Sequence, residues 1–189
     1  MDEPLGHRIV VTPAGELGAV DLDAQIALIR GLQDPAGVDE AVAAVLAAPQ
    51  RCIPPVLFEL GSTLFERGRR AEGAFWFYAA QLRARFDANR CADETAAEAV
   101  GLLSVRHGAE INPYAFAEQG LLRDTVERVI DWDRATPHDY DQRWINLHGM
   151  GAFLGGAGPS SLPAAEWDEI AERTRQVYLQ GLDEALDEG

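Results

Sequence analysis

The chain has 189 residues, of which 47% are hydrophobic and 25% charged, the composition of a folded globular domain of ordinary size. Acidic residues outnumber basic ones 31 to 16, for a formal net charge of −15. This balance excludes a general phosphate-backbone binder, which needs a basic face to displace counterions, and argues against docking on an anionic membrane. No apolar run approaches the roughly 20 residues that span a bilayer, and the opening MDEPLGHR lacks a signal-peptide core, so a cytoplasmic protein is expected.

In chain order, residues 1–20 read as irregular, with Arg8–Thr12 as a short strand stopped by Pro13 and Gly15. Asp21 or Asp23 starts a helix that runs to Leu32 with Ile26 and Ile29 on one side. After the turn Asp34-Pro-Ala-Gly37, a second helix runs from Asp39 to before Pro49 on Val42, Val45 and Leu46. Pro54-Pro55 opens a third, because proline suits the first helical turn, and Leu57, Leu60, Leu64 and Phe65 carry it to Arg67. Residues 71–86 then form a helix that is apolar nearly all round, so it lies between neighbours rather than on the surface. Its run Phe75-Trp-Phe-Tyr78 marks the centre of the core.

Asp93 caps a helix that ends at His107-Gly108, where the imidazole is expected to act as a cation near the last carbonyls. Ile111–Phe116 reads as a loop or short turn. A helix over 119–132 places Leu122, Val126 and Val129 inward and the pairs Arg123/Glu127 and Asp124/Arg128 outward. Asp131–Asp141 reads as an acidic loop, Gln142–Met150 as a short helix, and Gly151–Ser161 as a glycine-rich loop. Ser161 and Pro163 start the last helix, striped by Trp167, Ile170, Thr174, Tyr178 and Leu182, with Glu169/Arg173 outside. The expectation is one all-α domain over 1–189, a compact bundle of six to eight helices.

Leu60, Gly61, Leu64, Gly68, Gly73, Phe77 and Ala80 fall in the order of a helical hairpin in which small residues let two antiparallel helices cross closely. With Ala74-Phe-Trp-Phe-Tyr-Ala-Ala80, residues 54–86 resemble a single tetratricopeptide or Sel1-like repeat. The resemblance implies a helical protein-interaction module and carries over no catalytic residues. No second copy follows at the spacing a solenoid needs.

The densest titratable group is Asp131, Asp133, His138, Asp139 and Asp141. Its spacing is not that of a calcium loop, so it reads as a solvated loop or an acidic contact surface for a basic partner. His7, His107, His138 and His148 are scattered without zinc-ligand spacing, and Gly151–Gly158 lacks the Lys-Ser/Thr ending of a phosphate loop. Cys52 and Cys91 read as two thiols. All basic residues are arginine, and only residues 51–90 carry net positive charge, through Arg67, Arg69, Arg70, Arg83, Arg85 and Arg90 among others. These arginines either pair internally with the acidic helices or form a pocket that grips carboxylates.

The sequence thus points to a non-enzymatic protein-binding domain, with no metal and no cofactor expected. Its candidate contact residues are Asp131, Asp133, Asp139, Asp141, Arg83 and Arg85. Small acidic helical immunity proteins of bacteria are similar in general character, which makes the specific expectation an immunity or antitoxin protein neutralising a basic toxin. The alternatives are a metal-dependent enzyme or small-ligand binder using the acidic loop with His138 or His148, and a scaffold self-associating through Trp167–Leu186.

Overall fold

Where the chain turns back on itself at Arg67-Gly68-Arg69, Gly68 takes a left-handed φ of 83°. The Gly68 N–H donates to the Phe65 carbonyl and the Arg69 N–H to the Leu64 carbonyl, so two carbonyls at the C-terminal end of the preceding helix find donors. This turn joins the two helices that carry the centre of the protein. The computed structural model describes residues 15–117, 119–154 and 159–187. The strand expected at Arg8–Thr12 and part of the glycine-rich segment lie outside them.

The elements in order are α1 (Asp23–Gln33), α2 (Val38–Ala47), α3 (Pro54–Glu66), α4 (Arg70–Arg90), α5 (Glu98–Gly108), α6 (Ile111–Phe116), α7 (Gln119–Ala135), α8 (Met150–Leu154) and α9 (Trp167–Asp187). Short 3-10 turns occupy Gly15–Ala19, Pro49–Arg51, Glu94–Ala97, Gln142–His148 and Ala164–Glu166. The architecture is an all-α compact bundle. Among the described residues the one strand-like pairing is an isolated bridge between Cys91 and Ser161.

α3 and α4 pack along their length, and α4 also touches α5, α6, α7 and α9. The crossing is close because Gly61 and Gly73 face each other. A Cβ on Gly73 would stand 2.7 Å from the Gly61 carbonyl oxygen, and one on Gly61 would stand 2.9 Å from the Phe77 nitrogen. Beside the crossing Phe58, Leu60, Leu64 and Phe77 are fully buried, with Phe58 and Phe77 edge to face at 5.6 Å. Burying each large apolar side chain contributes roughly 1.5–3 kcal/mol. On the far side Phe75, Trp76 and Trp132 form a cluster of T-shaped pairs that fastens α7 to α4.

Several expected boundaries move. Ile111–Phe116 is a short helix, since Ile111 and Ala115 bury one of its faces. α4 and α7 both continue beyond the expected ends, because residues 87–90 and 133–135 hold no glycine or proline and Asp87, Arg90 and Asp133 turn inward. The loop therefore starts only at Thr136, just ahead of Pro137. The 142–148 segment is a 3-10 turn capped by Asp141, and the glycine-rich segment begins with α8. Ser161 is not a helix cap; it sits in the bridge to Cys91, and the chain enters α9 through the turn after Pro163. Thr174, Tyr178 and Leu182 of α9 are buried, and α9 packs on α4 and α7, so the core of that stripe is used within the chain.

Candidate functional site

One buried carboxylate draws four elements together. Asp133 on α7 accepts from Arg83 Nε of α4 at 3.0 Å on one oxygen and from Arg175 Nε of α9 at 2.9 Å on the other. His138, from the loop after α7, places Nε2 2.8 Å from the first oxygen. Arg83 also donates to the Thr136 carbonyl and lies over the Trp132 ring at 4.2 Å. Burial would raise the Asp133 carboxyl, but the His138 hydrogen bond and the charges of His138, Arg83 and Arg175 outweigh it and hold it at about 2.

One turn further along α4, Asp87 forms a second cluster. It accepts from Arg90 at 2.6 Å, from the Trp144 indole at 2.7 Å and from the Tyr140 hydroxyl at 3.1 Å. Burial pushes the Asp87 carboxyl up, opposed by Arg90 and the indole bond. Burial also raises Tyr140, which keeps the phenol protonated and donating. His138 stacks on Tyr140 and meets the edge of Phe86, so the two clusters share one wall. Arg90 lies between the Phe86 and Trp167 rings.

The six expected contact residues separate into inside and outside. Arg83 and Asp133 are buried and bonded to each other, which withdraws both from any contact surface. Their phase on the helices turns them inward, and a buried charge demands a partner. Asp131 is 81% exposed on the outer face of α7, 3.7 Å from Arg134. Asp139 is exposed, its N–H donating to the Gln50 carbonyl. Asp141 is half-buried, held by Arg143 at 2.6 Å, and caps the following 3-10 turn. Arg85 is exposed over the Tyr178 ring at 5.3 Å.

Most of the basic hairpin pairs within the chain, as one of the two expected readings had it. Arg67 meets Asp39, Arg69 meets Glu72, Arg83 meets Asp133 and Arg90 meets Asp87. Outward pairs differ from those expected: Arg123 reaches Asp183 on α9 at 2.6 Å, and Arg128 lies over Phe75. His107 is not a cation at its helix end. Its Nδ1 is 2.8 Å from the Ser62 hydroxyl and its ring stacks on Phe58. Burial, with Arg106 nearby, lowers it to about 4. Cys52 and Cys91 are buried free thiols, and burial raises Cys52 to about 11. Among the described residues no three His, Cys, Asp or Glu side chains converge as metal ligands do.

Sequence reasoning missed the groove around Arg85. Three concavities, of about 580, 430 and 260 Å³, all include this side chain. The first lies along α9, with Asn89, Arg173, Val177 and Tyr178 among its lining. The second lies along α5, with Val100, Ser104 and Val105. The third continues past Gln81 towards Phe116 and Leu182. The signal was available, since Gln81, Arg85 and Asn89 recur every fourth residue along one face of α4. Compared with protein-family models, curated proteins and solved structures, the chain has no significant match.

Proposed function

We propose that the protein is a non-catalytic protein-binding domain, and specifically an immunity protein that neutralises a basic toxin by covering it. The observation that supports this reading is where the charges lie. The buried carboxylates, Asp87 and Asp133, are matched by internal arginines. The acidic excess therefore falls on the outside, where Asp131, Asp139, Asp168, Glu184 and Asp187 are exposed. A surface of that sign attracts a cationic partner at long range and speeds its capture. The buried carboxylate and imidazole near Asp133 serve the fold in this reading, because both carboxylate oxygens are already engaged.

The test is capture of a basic effector encoded beside this chain. Association should slow steeply with added salt, and D131N/D139N should lower the on-rate while leaving the melting temperature in place. Cells that make the effector alone and survive, or an association indifferent to salt, would remove the reading. Titration with Mg²⁺, Mn²⁺ and Zn²⁺ separates it from the metal-dependent alternative, which requires sharp stabilisation by one ion.

A further inference from the structure

We propose that the groove floored by α4 receives a segment of a protein partner in which apolar side chains flank a carboxylate, with Arg85 as the carboxylate's anchor. The inference rests on the protein-binding reading but uses a surface lined by none of the acidic contact residues. Among the described residues Arg85 has no carboxylate at ion-pairing distance, unlike Arg67, Arg69, Arg83 and Arg90 of the same hairpin. Its guanidinium rests on the Tyr178 ring, which holds the planar fork in place before anything binds.

The floor on either side of Arg85 is also set in advance. Gln81 donates to Ser104 of α5 at 3.0 Å and accepts from Tyr178 of α9 at 2.7 Å. Asn89 donates to Thr174 of α9 at 2.8 Å. A groove cross-linked in this way loses little freedom on binding. Each wall carries an exposed apolar side chain: Val105 on α5 is 77% exposed and Val177 on α9 is 55% exposed. Exposed apolar side chains on both sides of a polar floor suit a partner segment that brings apolar side chains of its own.

Two glycines sharpen the case. Gly101 lines the α5 wall and Gly181 the α9 wall, both inside helices, and a Cβ on either would meet nothing within 4 Å. Glycine inside a helix costs about 1 kcal/mol relative to alanine. Packing within this chain does not require glycine there, whereas the close approach of a second backbone would.

Charge selects the occupant. On the α5 side Arg85 is the sole charged lining residue, so a basic segment meets repulsion there. On the α9 side Arg85 and Arg173 stand against Glu166 and Glu169, which leaves that end neutral. The overall charge of −15 repels a polyacid, so the segment carries few carboxylates among apolar residues.

The experiment is selection of a phage-displayed random peptide library on the full chain, with R85A as counter-bait. Selected peptides are synthesised and titrated by fluorescence anisotropy. They should combine apolar residues with Asp, Glu or a free C-terminus. R85A should weaken them about tenfold or more, with R85K intermediate. G101A and G181A should also weaken binding while the fold melts no lower. Acid-to-amide exchange and C-terminal amidation identify which carboxylate Arg85 holds. Basic or wholly apolar selected peptides, no enrichment over R85A, or a concentration-dependent dimer broken by V105E and V177E, would overturn the inference. R85A that still captures the basic effector leaves the functional reading standing when the groove fails. Loss of effector capture with peptide binding intact does the reverse.

Discussion

Arg83 Nε and Asp133 Oδ1 meet at 3.0 Å between α4 and α7, where neither side chain reaches solvent. Arg175 shares the same carboxylate, so removing its charge leaves Arg83 buried without a carboxylate and Arg175 with Glu172 alone. D133N should therefore destabilise the protein by about 3–5 kcal/mol, because an uncompensated buried charge costs more than an intact pair contributes. The measurement is urea unfolding at neutral pH. A loss below about 1 kcal/mol, the range of surface ion pairs, would show that the pair is open to water.

The same carboxylate sets an acid limit. Its folded value of about 2 lies below the ordinary carboxylate value near 3.9, so the folded form binds its proton less readily than the unfolded chain. The stabilisation is fully present above about pH 4 and is lost as pH falls through about 2. From these values it amounts to about 2–3 kcal/mol. Comparing acid unfolding of the wild type with D133N should show this step in the wild type alone.

His107 gives a second and higher window. Held at about 4 against an ordinary 6.5, it stays neutral in the folded protein while the unfolded chain takes up a proton. Its share of stability is present above about pH 6.5 and falls away as pH drops towards about 4. Titration followed through the imidazole resonances should place the His107 midpoint well below that of an ordinary histidine. H107Q should flatten the stability profile between those limits. A midpoint near 6.5 would mean that the Ser62 and Phe58 contacts are not made in solution.

The glycines divide into two groups with opposite expected signs. At Gly61 and Gly73 an added Cβ runs into backbone atoms at 2.9 and 2.7 Å, so G61A and G73A should each cost about 1–3 kcal/mol or more. At Gly101 and Gly181 the space is open and the backbone helical, so alanine should stabilise by about 0.5–1 kcal/mol. Thermal melts of the four single variants check all of this in one series.

Thiol chemistry supplies a fifth check. Cys52 is buried with its thiol raised to about 11, and Cys91 is buried with its thiol also raised by burial. Both should react with a thiol-specific reagent only after denaturation. Rapid labelling of either in the native protein would contradict the packing around α3 and the end of α4.

The helices were legible because hydrophobic spacing and proline starts are local signals, and the α3–α4 crossing was legible from the positions of its glycines. The contact residues were only half legible, and the reason is rotational. Arg83 and Arg85 are two residues apart, as are Asp131 and Asp133, and two residues turn a helix by about 200°. In each pair one side chain points in and the other out. Polar and apolar residues are spread around every side of α4, so its sequence offers no phase from which to tell which arginine faces water. The groove escaped for a further reason: its walls come from α5 and α9, and only tertiary packing brings them beside Arg85.

The bond from Tyr178 to Gln81 spans 97 positions of the chain, and Asn89 to Thr174 spans 85. During synthesis α3 and α4 can meet early, yet one flank of α4 stays bare until α9 has left the ribosome. A chain that ends before α9 therefore lacks the cover that Tyr178 and Thr174 give to the Gln81–Asn89 flank of α4.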